Sequence, residues 1–204
     1  MGFYQDQIVP LLINLAMRQK RLADYRGRIV PAAAGRVLEI GIGSGLNLPF
    51  YGQGVQRVIG LDPSPKLLAM ARRAERGQTR LVELIEGSAE DIPLDAASVD
   101  TVVTTWTLCS IPDSARALAE IRRVLRPGGR LLFVEHGRAP EPNVVWWQDR
   151  VTPAWRRLAG GCHLNRAVAD LIEGAGFMLD RLQTGYMPGP RVMAFMYEGS
   201  ARPR

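Results

Sequence analysis

From residue 36 onward the chain alternates short apolar runs with amphipathic segments, and no other feature constrains its fold as strongly. Such alternation is the signature of βαβ units, whose strands lie parallel in a sheet covered by helices on both faces. "RVLEI" (36–40), "RVIGLD" (57–62), "RLVELIEG" (80–87), "VDTVVTTW" (99–106) and "RLLFVEH" (130–136) read as five strands. Between the first two, Pro49 leaves room for only a short helix. "PSPKLLAMARRAERG" (63–77) reads as a helix capped by Ser64, started by Pro65 and stopped by Gly77. "DSARALAEIRRVLRPGG" (113–129) is amphipathic and closed by Pro127 and Gly128. "NRAVADLIEGAGF" (165–177) is a further helix, and the β-like runs 177–184 and 191–198 after it are close enough to pair antiparallel. The expected fold is α/β: a Rossmann-like seven-stranded sheet, mostly parallel, with a C-terminal antiparallel strand.

With 204 residues and 47% apolar side chains, the chain can bury one proper core. Residues 31–198 are read as that domain, preceded by an N-terminal helical cover (1–30) and followed by a frayed tail (199–204). Segment 137–161 holds Trp146, Trp147 and Trp155 and three prolines, fits no standard crossover, and is read as an aromatic insertion lying over the acceptor side of the site. "IVPLLINLAM" (8–17), followed by "RQKR", is either part of the cover, with Tyr4 and Tyr25 facing the site, or an interfacial helix making peripheral membrane contact. No apolar run reaches membrane-spanning length, and the first residues lack the pattern of a secretory signal. Two cysteines without CxxC spacing make no disulfide framework, which points to the cytoplasm. A net charge of +6 would suit nucleic acid, but the basic residues are spread along the chain, so no nucleic-acid partner is expected. The oligomeric state is not legible.

The first strand runs into "GIGSG", a GxGxG turn. A dinucleotide site wants its third glycine one place further on, at the position of Leu46, and a long helix to receive the diphosphate. Asp62, at the end of the second strand, can accept both hydroxyls of a ribose. Glu39 adds a second negative charge beside the glycines. Two carboxylates repel a diphosphate but suit a nucleoside that carries a cation, and S-adenosylmethionine is such a molecule.

"VLEIGIGSG", "GLDPSP", "GSAEDIPLDAASVDTVV" and "EIRRVLRPGGRLLFVEHG", in that order, resemble the motifs of class I S-adenosylmethionine-dependent methyltransferases. "TLCSIPD" and "TPAWRRLAGGCHLNR" narrow the resemblance to the methyltransferase-like seven group, whose animal members are thiol methyltransferases. The resemblance implies an enzyme that methylates a small acceptor, a thiol or sulfide. The alternatives are a phospholipid or quinone methyltransferase and, from another class, a non-catalytic module that binds an adenosyl ligand. The animal proteins carry a hydrophobic N-terminal anchor that is not seen here, so membrane residence does not carry over.

By position in these motifs, Glu39, Gly41, Gly43, Ser44 and Gly45 should wrap the methionine part of the cofactor. Asp62 should hold the ribose, and Pro63, Ser64, Ser88, Ala89 and Glu90 should surround the adenine. Many class I enzymes have Asp at the place of Ser88, so backbone amides near Ala89 are expected to share that contact. Thr105 and Trp106 fall at the mouth of the fourth strand, beside cofactor or acceptor. A thiol acceptor, with a pKa of about 8.5, must lose its proton. His136, at the end of the fifth strand, is the candidate base, ahead of His163, Glu135 and Asp149. No metal ion is expected. Cys109 and Cys162 are read as reduced thiols or, should they meet near the crevice, as donors for a soft metalloid or part of an acceptor pocket.

Overall fold

A computed structural model of the chain describes residues 7–76 and 81–204. Seven strands form one sheet in the order β3-β2-β1-β4-β5-β7-β6. They are β1 (Gly35–Ile40), β2 (Val55–Asp62), β3 (Leu81–Glu86), β4 (Val99–Thr105), β5 (Leu125–His136), β6 (Phe177–Tyr186) and β7 (Phe195–Pro203). β1 to β5 pair parallel, and β7 runs antiparallel to both its neighbours, β5 and β6.

Side chains alternate across the pleat, and the two faces build two cores. Leu38, Ile40, Ile59, Leu61, Val102, Leu131 and Phe133 face α4 (Ser114–Val124) and α6 (Val168–Gly174). Val37, Val58, Val103, Leu132 and Val134 face α3 (Pro65–Glu75) and the end of α2 (Lys20–Ile29). Ser64 caps α3, its hydroxyl accepting from the Leu67 amide at 3.3 Å. The expected stop at Gly77 lies outside the described residues. The short helix allowed before Pro49 is a single 3-10 turn, Leu48–Phe50.

Three boundaries differ from the sequence reading. α4 ends at Val124, because Leu125 already pairs with Val99 and Arg126–Gly129 bulge out before pairing resumes at Arg130. The run 191–198 splits into a short helix, α7 (Arg191–Ala194), and the start of β7. The tail is not frayed: residues 199–203 complete β7, and Ala201 is buried between Leu131 and Leu179. Alternation of small and polar residues there hides a strand whose partners are remote in sequence.

Segment 137–161 is organised around α5 (Pro142–Leu158), a helix of 17 residues. Gln148, fully buried, docks it: Nε2 donates to the carbonyls of Gly137 and Val192, and Oε1 accepts from the Ala139 amide. At the other terminus, α1 (Val9–Met17) lies against the glycine turn. Ser44 Oγ donates to Asn14 Oδ1 at 2.7 Å, and Lys66 donates to the Gln7 carbonyl at 2.6 Å.

Candidate functional site

Parallel pairing brings the ends of β1, β2, β4 and β5 to one edge of the sheet, and the strand order turns back between β1 and β4. Ligands of open α/β sheets bind at such a point. There a cavity of about 850 Å³ opens. Glu39, Gly41, Gly43, Ser44, Asp62, Pro63, Ser64, Ser88, Ala89, Thr105 and Trp106, all expected at the site, line it.

The glycine turn has φ of 67° at Gly41, 57° at Gly43 and 80° at Gly45, a region that side chains disfavour. The three positions do different things. A Cβ on Gly41 would collide with the Thr107 side chain, whereas one on Gly43 would meet nothing closer than 3.9 Å. Gly45 does not line the cavity. It packs the turn onto α3, where a Cβ would press on Leu48 and Ala74.

Asp62 spans the ends of two segments. Its Oδ2 accepts from the Gly43 amide at 2.9 Å and its Oδ1 from the Ser64 amide at 2.8 Å. Each oxygen keeps a lone pair for a further donor. Burial raises its pKa against those two bonds.

Glu39 is the more constrained carboxylate. Asn47 Nδ2 donates to Oε1 at 2.9 Å and the Tyr51 hydroxyl to Oε2 at 2.7 Å. The same amide group also reaches Thr105 Oγ1 at 3.0 Å, joining β1, the turn and β4. Burial nonetheless pushes the Glu39 pKa up to about 7, with the two hydrogen bonds and the Arg26 charge opposing it. The carboxylate is thus poised to accept a cation. Asn47 Oδ1, buried and without a partner among the described residues, is a second acceptor in the same place.

Arg26, from α2, is buried, lines the cavity and lies over the Trp106 ring at 5.0 Å. Burial lowers its pKa to about 10. Trp106 itself has a φ of 52°, a strained value for a large residue. Its amide donates to Val134 at 2.7 Å and its ring stands edge-on to Tyr25 at 6.2 Å. Val9, Pro10, Ile13 and Met17 of α1 form an apolar wall of the cavity, with the polar Asn14 among them.

Several expectations are corrected by this geometry. His136 does not line the cavity: it is buried behind the turn that follows β4, its Nε2 3.1 Å from Cys162 Sγ. His163, Asp149 and Glu135 are also outside the lining. Glu135 turns inward, where its Oε1 accepts from the amides of Thr107 and Leu108. Burial above all, then the Cys109 charge, pushes its pKa up to about 8. Glu90 is drawn to the start of α4, accepting from the Asp113 amide. Trp146 and Trp147 face outward at 48% and 54% exposure, and neither they nor Trp155 line the cavity. Tyr25 packs behind Trp106, and Tyr4 lies outside the described residues.

Asn47, Arg26 and Asn14 were missed. A polar Asn between the apolar residues of "GLNLPF" was a readable signal for the first. Nothing in the arginine-rich α2 segment singles out Arg26 before it folds over Trp106.

A family described as a methyltransferase domain matches residues 38–133. Human thiol S-methyltransferase TMT1B is 38% identical over 167 residues, covering 78% of this chain and 66% of that protein. Human thiol S-methyltransferase TMT1A is 36% identical over 184 residues, covering 88% of this chain and 72% of that one. The chain thus spans about two thirds of the length of these relatives. Among solved structures, an S-adenosylmethionine-dependent methyltransferase of Thermotoga maritima superposes with a TM-score of 0.69 at 22% identity, over 98% of this chain and 100% of that one.

Fold, site and relatives define the class: the chain belongs to the S-adenosylmethionine-dependent methyltransferases of Rossmann-like fold. Within that class it belongs to the family that contains the two human thiol S-methyltransferases. The residues present fit the cofactor. A buried carboxylate held by the neutral donors Asn47 and Tyr51, an amide oxygen without a partner among the described residues and a glycine open to the cavity suit a cationic nucleoside.

Proposed function

We propose that this protein methylates a small thiol or sulfide. The observation that carries the reading is the likeness to TMT1A along 88% of the chain, with a cavity whose second wall is apolar. Bound S-adenosylmethionine supplies an electrophilic methyl group on a sulfonium. The chain's own residues then have three tasks. Asp62 and the glycine turn hold the nucleoside, and Glu39 with Asn47 receives its cationic end. α1, latched by the Ser44–Asn14 and Lys66–Gln7 bonds, keeps water from the acceptor. Alignment and water exclusion are what a displacement at a charged centre chiefly needs.

No histidine lines the cavity among the described residues, so the acceptor reaches the methyl as a thiolate formed without an enzymic imidazole. The Arg26 guanidinium is the charge that favours this anion, and Trp106 beneath it gives the apolar contact.

The protein acts in the cytoplasm in this reading, where its free thiols Cys109 and Cys162 stay reduced. Peripheral membrane contact through α1 is part of the proposal. Leu11, Leu12 and Leu15 are exposed at 47%, 50% and 70%, while no described helix is long and apolar enough to cross a membrane.

An acceptor screen that follows S-adenosylhomocysteine tests the reading, with alkyl thiols, hydrogen sulfide, phosphatidylethanolamine, quinols and arsenite side by side. Turnover with thiols or sulfide is expected. Silence with both while another acceptor turns over would replace the acceptor class, and product formation with none would leave a binding module.

A further inference from the structure

Behind the cavity wall, three segments remote in sequence deliver three metal-binding side chains to one point. Cys109 comes from the turn after β4, His136 from the last position of β5, and Cys162 from the loop after α5. Their ligand atoms all lie within 4.8 Å of one another, with His136 Nε2 3.1 Å from Cys162 Sγ. Tetrahedral zinc, with Zn–S of about 2.3 Å and Zn–N of about 2.0–2.1 Å, places its donors roughly 3.5–3.8 Å apart. The separations in the cluster bracket that spacing, from 3.1 Å up to no more than 4.8 Å.

The surroundings hold these side chains in place. Glu135 accepts from the Thr107 and Leu108 amides on one side of the turn. His163 donates its amide to the Cys109 carbonyl at 2.8 Å, and Arg166 donates to the carbonyls of Leu108 and Ile111. The Cys162 loop comes close because Gly160 and Gly161 take positive φ, and a Cβ on Gly161 would already press on the Ser110 carbonyl at 3.1 Å. Cys109 and His136 are both more than nine-tenths buried. His136 Nδ1, and Oε2 of its chain neighbour Glu135, are buried with no hydrogen-bond partner among the described residues. Two sulfurs and an imidazole gathered in a largely buried place make poor packing but a good cation site.

We propose that Cys109, His136 and Cys162 form a three-ligand site for a thiophilic closed-shell cation, zinc(II) or copper(I). Thiolate and imidazole donors select such ions over magnesium or calcium. Three protein donors leave one position of a tetrahedron open for water or an added thiol. The ion ties together the β4 turn, the β5 end and the α5 loop, of which Ser110 and Gly160 line the cavity. The site stands whether or not the acceptor is a thiol.

Cobalt(II) titration of the full chain, reduced and then freed of reductant, tests the proposal. One equivalent is expected to bind with an intense near-ultraviolet thiolate-to-cobalt band that zinc(II) displaces, and copper(I) competition distinguishes the two native candidates. Cys109→Ser and Cys162→Ser should each abolish the band, and His136→Gln should weaken uptake at least about tenfold. Absence of the band in the reduced wild type, or its persistence in the Cys109→Ser/Cys162→Ser protein, overturns the site. Because a serine variant can fail by unfolding, alkylation of the wild-type thiols gives an independent readout. Zinc should slow it and a chelator restore it, and equal rates with and without zinc count against the proposal.

Discussion

Asp62 holds Gly43 across nineteen residues of chain: its Oδ2 accepts the Gly43 amide at 2.9 Å, while its Oδ1 accepts the Ser64 amide at 2.8 Å. One carboxylate therefore sets the width of the nucleoside site and still offers lone pairs to a ribose. Asp62→Asn keeps the shape but can serve only one of the two amides. Hydrogen bonds to a charged group are worth about 1.5–3 kcal/mol, so cofactor affinity should fall roughly 10- to 100-fold with the fold intact. Calorimetric titration with S-adenosylhomocysteine measures it, and an unchanged affinity would remove Asp62 from the site.

The paired substitutions Gly41→Ala and Gly43→Ala separate packing from binding. Both positions have positive φ, which costs a side chain about 1–2 kcal/mol. Only at Gly41 does the new methyl strike Thr107, so this variant should lose distinctly more stability in urea than the other. Gly43→Ala points its methyl into open space that the ligand needs, and its larger loss should appear in cofactor binding.

Glu39 gives the site a pH dependence. Its folded pKa is raised from 4.5 to about 7, so the folded state holds a proton that the unfolded chain releases between those values. The stability of the ligand-free protein should therefore fall as pH rises from about 4.5 to 7, by on the order of 3 kcal/mol from this group. A bound cation favours the ionised form, so binding near pH 6 should release a proton that binding at pH 8 does not. Titrations in buffers of different ionisation enthalpy count the proton, and Glu39→Gln should abolish both effects.

In the proposed reaction the acceptor loses its proton without an enzymic imidazole, since no histidine stands among the described lining residues. Two alkyl thiols whose pKa values differ by about one unit should give rate profiles displaced by about one unit. A common midpoint for both would point to a base within the enzyme. Arg26→Met should raise the pH at which each thiol becomes competent, because the guanidinium over Trp106 is lost.

α1 closes the cavity through few polar contacts. Asn14→Ala removes the Ser44 bond and should speed cofactor release severalfold with little change in melting temperature, as stopped-flow fluorescence of Trp106 can follow. In flotation with anionic vesicles, the wild type should co-migrate, and exchange of Leu11, Leu12 and Leu15 for Ser should release it.

What the sequence determined by itself is local or nearly so. Short continuous apolar runs, the Ser64 cap and three glycines at alternate positions dictate strands, a helix start and a bare turn, since each depends on residues a few places apart. The Gly41-to-Asp62 spacing was equally readable, because one short crossover carries the chain to the end of the neighbouring parallel strand. Tertiary structure decided the rest. Asn47 meets Thr105 across 58 residues, His136 turns from the cavity to Cys162 across 26, and the tail becomes a strand only because β5 and β6 flank it. Such pairings follow from the packing of whole elements, and no periodicity along the chain encodes which buried polar atoms will meet when the helices close over the sheet.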